Sequence, residues 1–166
     1  MDNVEIRWGR VEDAAGVLSL LQAVATWLST DGPGALWPAS TFRLEEIEDQ
    51  ARHSHLVVAT HGGQLVASAY ATSTDRVFWP EASPGEALYV HKLVVSRAFA
   101  GHGISGHLLD WIAGEARRRG CRFVRLDCAL RPKLLSVYAR AGYSPVGTDV
   151  EIHGFTVRRL QRKVDT

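Results

Sequence analysis

The chain has 166 residues, enough for one compact domain that buries most of its apolar surface without disulfide staples. Its 19 basic and 18 acidic residues leave a formal charge of +1, which gives a nucleic-acid backbone no electrostatic footprint and an anionic membrane no polybasic anchor. No apolar stretch reads as approaching the roughly 20 residues of a membrane span, and the opening MDNVEIRWGR lacks a signal peptide's apolar core. A cytoplasmic protein is therefore expected, with neither nucleic acid nor membrane as partner.

In chain order, VEIRW alternates apolar and polar residues and predicts a first strand. From Asp13, placed to cap it, a helical face runs through Ala14, Val17, Leu18, Leu21, Val24, Ala25 and Leu28. The Gly- and Pro-rich stretch 28–40 then breaks all periodicity, before a second helix over Leu44 to Arg52. HLVVAT and QLVASAYA flank His61-Gly62-Gly63 as a hairpin, and DRVFWPEASPGE is a loop leading into ALYVHKLVV, a central buried strand. From Ile104 the positions Leu108, Leu109, Ile112, Ala113 and Ala116 predict a helix that stops at Gly120, after Arg117, Arg118 and Arg119 have complemented its dipole at a solvated end. RFVRLDCAL is the next strand. Pro132 opens a helix that Gly142 closes, and YSPVG and IHGFTVRRLQ finish the chain as two more strands. About seven strands and four helices, with early hairpins and one β-α-β crossover, predict an α/β fold: a mixed central sheet flanked by helices.

Cys121 and Cys128 are too few for a disulfide framework and are expected to be reduced. The seven histidines, His53 and His55 among them, have no Cys or carboxylate at ligand spacing, so no metal site is expected.

Gly101-His102-Gly103-Ile104-Ser105-Gly106 spells G-x-G-x-x-G, and Asp127 stands where a dinucleotide site would want an acid. Three features argue against a nicotinamide oxidoreductase. SRAFA separates the motif from its strand, about sixty residues remain beyond it, and it follows a hairpin instead of opening repeated β-α units. The absence of a following Gly-Lys-Ser/Thr excludes a P-loop. The physics of the loop survives, because glycines let the backbone approach a ligand and amides at a helix N-terminus attract phosphate.

YVHKLVVSRAFAGHGISGHLLDWIAGEARRRG and VRLDCALRPKLLSVYARAGYSPVG resemble the GCN5-related N-acetyltransferases (GNAT), strongly over residues 87–147. The resemblance implies a single GNAT domain over residues 1–166 and acetyl-CoA as cosubstrate. The acyl group would pass to a primary amine, first of all that of a small molecule, by direct attack in a ternary complex. Main-chain groups of Leu93, Val94 and Val95 would meet the pantetheine arm, and Gly101, His102, Gly103, Ile104, Ser105 and Gly106 the pyrophosphate. Ala100 and Ser105 replace the family's Q/R and G/A, and Arg131 a frequent Asn. The missing side-chain contact keeps a second reading open, a non-catalytic acyl-CoA-binding or regulatory module. Association into a homodimer is left open.

The chemistry needs a base, an acid and an acceptor pocket. His91, in the strand that would face the cosubstrate, suits a general base, with Glu86 in reserve; Tyr138 falls where the family's thiolate-protonating Tyr stands. Trp27, Trp37, Trp79 and Tyr89 are expected to border the acceptor, with Asp31 or Glu81 attracting an ammonium.

Overall fold

A computed structural model describes residues 3–34 and 36–164. The alternating and β-branched runs form strands β1 (Val4–Trp8), β2 (Leu56–His61), β3 (Gln64–Thr72), β4 (Ala87–Val95) and β5 (Phe123–Ala129), then β6 (Ser144–Pro145), β7 (Val150–Ile152) and β8 (Phe155–Lys163). The four 3.6-period runs form α1 (Ala14–Thr30), α2 (Leu44–Arg52), α3 (Ile104–Arg118) and α4 (Pro132–Arg140). Strands pair in the order β1-β2-β3-β4-β5-β8-β6, with β7 also on β8. β4 and β5 are parallel, while β1 to β3 and the strands around β8 are antiparallel, so the sheet is mixed, as expected. The eighth strand arises because IHGFTVRRLQ is not one strand. His153 and Gly154 both take positive φ, 48° and 78°, in the two-residue turn that reverses β7 into β8.

The chain divides into two compact units, residues 1–70 with 92–105, and residues 71–91 with 106–166. In the first, Ala14, Val17 and Leu21 of α1 pack with Ile47 and Ala51 of α2, Leu56 and Val58 of β2, and Val94 of β4. The run Val11–Thr30 is 20 residues long with a mean hydropathy of 1.2, so by length and composition it does reach the range of a membrane span, which corrects the reading above. Its buried residues recur at three- and four-residue steps, the pattern of a core helix.

Asp13 is the residue before α1, yet its side chain makes no cap bond. It faces backward instead, taking a forked pair from Arg7 at 2.7 and 2.9 Å and the Arg10 amide at 2.7 Å. The Arg7 hydrogen bond holds its carboxyl below the usual range. A depressed carboxylate contributes stability above its unfolded pKa, and that contribution disappears as pH falls through the folded value. Asp13→Asn should therefore cost about 1 kcal/mol at pH 7, the figure being kept small because Arg7 is partly exposed to solvent, and almost nothing near pH 2. Urea unfolding at the two pH values checks it.

In the second unit, Trp79, Ala87 and Tyr89 form a buried cluster with Phe78, Phe123 and Val146 packed on it. Gly142, at φ 85°, ends α4. There the Tyr143 amide reaches back to the Tyr138 carbonyl at 3.0 Å and the Gly142 amide to Ala139 at 3.0 Å. This closure sets the Tyr143 ring edge-on to Tyr138, 5.9 Å between centroids, and so fixes Tyr138 from two directions.

Candidate active site

After β4 the chain makes a short helical turn, Arg97–Phe99, and reaches Gly101, His102 and Gly103, all exposed, before Ile104 anchors α3 as a buried residue. Gly101 and Gly103 hold φ of 79° and 77°, the left-handed region that costs an L side chain about 1 to 2 kcal/mol. A Cβ at Gly101, Gly103 or Gly106 would meet nothing within 4 Å, so these positions face open space. Among the described residues the amides of Gly101, His102 and Gly103 donate to no main-chain acceptor outside the helix, and helix geometry leaves the first-turn amides of α3 without intrahelical partners. A loop of such amides at a helix N-terminus is suited to an anion.

Val94 is buried, and Leu93 and Val95 are half-buried. The parallel ladder joining β4 to β5 ends at Val90↔Leu126, although β4 continues to Val95 and β5 to Ala129. Two residues past the last pair, Lys92 takes a positive φ of 52°, which twists the strand where a straight run was expected.

His91 lies one residue beyond the ladder's end on β4 and Asp127 one residue beyond it on β5. With Asp75 they form a half-buried cluster in which a ring nitrogen and one oxygen of each carboxylate all lie within 4.8 Å of one another. The Thr72 hydroxyl donates to the Thr74 carbonyl at 2.9 Å and also lies 3.2 Å from His91 Nε2. A hydroxyl has one proton, so both bonds are satisfied together when Nε2–H donates to the Thr72 oxygen. Asp75 Oδ1 accepts the amides of Val77 and Phe78, each at 3.0 Å; its buried Oδ2 has no hydrogen-bond partner among the described residues. Ligand spacing along the chain concealed this cluster, because folding collects its members from three segments. His91 in one largely apolar strand and Asp127 at the matching height of the next were the available signal.

Tyr138 is 7% exposed, and burial, with Cys128 and Asp127 adding to it, pushes its phenol well above the usual range. The group stays protonated at neutral pH. Burial also pushes the Cys128 thiol up to about 11, and both cysteines are free.

Glu86, the reserve base, is committed elsewhere. Arg125 Nη1 donates to it at 2.9 Å and holds its carboxyl below the usual range, which makes it a poor proton acceptor. The same buried guanidinium reaches Tyr89 Oη at 3.4 Å and Gln161 Oε1 at 3.2 Å and lies 4.6 Å from the Trp79 ring centroid. Trp79 and Tyr89 are almost wholly buried, yet with Asp75 they line a cavity of about 120 Å³ under loop 73–84. In the other unit, Trp27 lies under Arg97 at 3.6 Å and Trp37 under Lys92 at 4.6 Å. Glu81 is paired with Arg159 at 2.6 Å, while Asp31 accepts a bond from Thr30 at 3.1 Å.

Comparison with known proteins agrees with this arrangement. The family model described as the acetyltransferase (GNAT) family matches residues 21–143. YesJ of Bacillus subtilis strain 168, an uncharacterized N-acetyltransferase, is 30% identical over 146 residues, 83% of this chain and 80% of that protein. A GNAT-family acetyltransferase from Listeria monocytogenes superposes with a TM-score of 0.75 at 22% identity, covering 96% of this chain and 94% of that one. YncA of Salmonella typhimurium, a putative acetyltransferase solved with acetyl-CoA, gives 0.75 at 16% identity over 99% and 96%. The last two likenesses speak for the fold, whereas the family match and the YesJ alignment speak for descent, and on those two grounds the chain belongs to the acetyltransferase (GNAT) family.

Proposed function

We propose that this protein transfers the acetyl group of acetyl-CoA to a primary amine of a small molecule, by direct attack in a ternary complex in the cytoplasm. The observation that carries the reading is the exposed loop of Gly101 to Gly103, left-handed at both glycines and leading into α3. Its amides, with those of Ile104, Ser105 and Gly106, hold the diphosphate of the cosubstrate, and the Ser105 hydroxyl substitutes for the side-chain contact that Ala100 cannot make. Main-chain groups of Leu93, Val94 and Val95, beyond the end of the β5 ladder, bind the amide-bearing arm as an added strand would.

The His91 imidazole takes a proton from the acceptor's ammonium. The freed nitrogen lone pair forms the C–N bond as the C–S bond breaks, and the Leu93 amide stabilises the carbonyl oxygen's charge meanwhile. Tyr138 gives its proton to the departing thiolate and recovers one from the nitrogen's second N–H by way of solvent. The products are an acetamide, free coenzyme A thiol and one proton. A binding module would need no imidazole gathered with two carboxylates, and this supports the catalytic reading over the non-catalytic one.

Tyr138→Phe keeps the ring that packs on Tyr143 and removes the proton. It should lower kcat about a hundredfold and change acetyl-CoA affinity less than about threefold. Steady-state thiol release and cosubstrate titration separate the two; an equal loss in both would assign Tyr138 to packing.

A further inference from the structure

We infer that Asp75 and Asp127, with His91, form an ammonium-recognition subsite, so that the acceptor is a cationic amine carrying no carboxylate beside the reacting nitrogen. The inference rests on the acetyltransferase reading and adds the acceptor's charge and the residues that read it. Its basis is geometric. Three polar atoms mutually within 4.8 Å have a common centre at most 4.8 Å divided by √3 from each, about 2.8 Å, which is the length of an N⁺–H···O⁻ hydrogen bond.

Asp75 supplies the second observation. It is 9% exposed, its Oδ1 is spent on two amides, and the oxygen it has left to offer is the buried Oδ2 without a partner. A buried carboxylate oxygen with no donor is costly unless a donor arrives, and an ammonium brings three. The cavity lined by Asp75, Trp79 and Tyr89 has the volume of a few water molecules.

Two carboxylates beside a reacting ammonium would, taken alone, oppose its deprotonation. Here the proton moves only as far as His91, within the same anionic cluster, so the carboxylates stabilise the charge both before and after the transfer. An amino acid would carry its own carboxylate into this field and be repelled.

The test compares butylamine, hydroxylamine and glycine as acceptors, with thiol release as the readout. Hydroxylamine is uncharged at neutral pH, so it reports the chemistry without the charge recognition. Wild type should prefer butylamine to glycine by about tenfold or more in kcat/KM. D75N retains an oxygen for the Val77 and Phe78 amides, so its fold is kept; D75N and D127N should each raise KM for butylamine about tenfold while KM for hydroxylamine moves less than about threefold. Independently of any variant, N,N-dimethylbutylammonium, which keeps an N–H donor, should compete with butylamine in the wild-type enzyme and its uncharged isostere 3-methylbutyl methyl ether should not.

Equal effects on butylamine and hydroxylamine, or equal inhibition by the charged and uncharged compounds, would overturn the subsite and leave acetyl transfer standing. Activity lost to a chelator and restored by a divalent metal would give the cluster to that metal and overturn it too. Acetyl-CoA binding with no thiol release to any acceptor would overturn the transferase reading and this inference with it.

Discussion

Gly103→Val should raise the dissociation constant for acetyl-CoA about a hundredfold or more while the protein stays folded. Space is not the obstacle, since a Cβ at residue 103 meets nothing within 4 Å. The obstacle is the backbone, because a β-branched residue at φ 77° is strained by more than an exposed loop can enforce. The loop will therefore relax to negative φ and turn away the amides that would face the diphosphate. Gly103→Ala, less strained, should show a smaller loss of the same kind. Isothermal titration with acetyl-CoA, beside a thermal melt, measures both quantities, and unchanged affinity in the valine variant would remove the loop from the binding site.

Arg125→Met should lower the unfolding free energy by about 3 kcal/mol, the scale on which a buried ion pair fails when one partner is removed. The guanidinium is 8% exposed and serves Glu86, Tyr89 and Gln161 at once. Its loss removes the paired cation from the Glu86 carboxylate, 22% exposed, and leaves it the Ser83 amide at 3.4 Å. The pH profile carries a second signature. Glu86 is depressed by Arg125, so in wild type it contributes stability above its unfolded pKa and loses it as pH falls through the folded value. The variant should lack that acid-side loss, and adding Glu86→Gln should recover part of the stability, since no charge is then left unpaired. Urea titrations of the single and double variants at pH 7 and pH 3 decide it. A single variant as stable as wild type would show that water replaces the arginine without cost.

Much of this arrangement could be read from residues whose local chemistry and tertiary role coincide. Pro132 and Gly142 bracket α4 because a fixed φ suits a first turn and a free φ suits a helix stop, and no distant contact alters either. The glycine loop was legible for the same reason. What escaped is what distant contacts decide. A lysine in the left-handed region at residue 92 is nothing its neighbours in sequence announce. Asp13 has a capping residue's identity and position, but Arg7 on β1 outcompetes the helix amides for its carboxylate. Asp75 belongs to a stretch whose composition reads as a connecting loop, and Asp127 stands at the spacing of a dinucleotide site's acid. Their meeting with His91 is a product of strand register, which a single chain does not display until its strands are paired.

The two units are divided at Tyr70/Ala71, His91/Lys92 and Ser105/Gly106, inside β3, β4 and α3. The polypeptide thus passes from one to the other midway through regular elements, and each unit is assembled from two separate stretches of sequence. No single cleavage can separate the two, and any truncation from one end that keeps one unit whole also keeps a piece of the other. Minimal fragments are for this reason unsuited to dissecting the protein, and the informative perturbation is the replaced side chain.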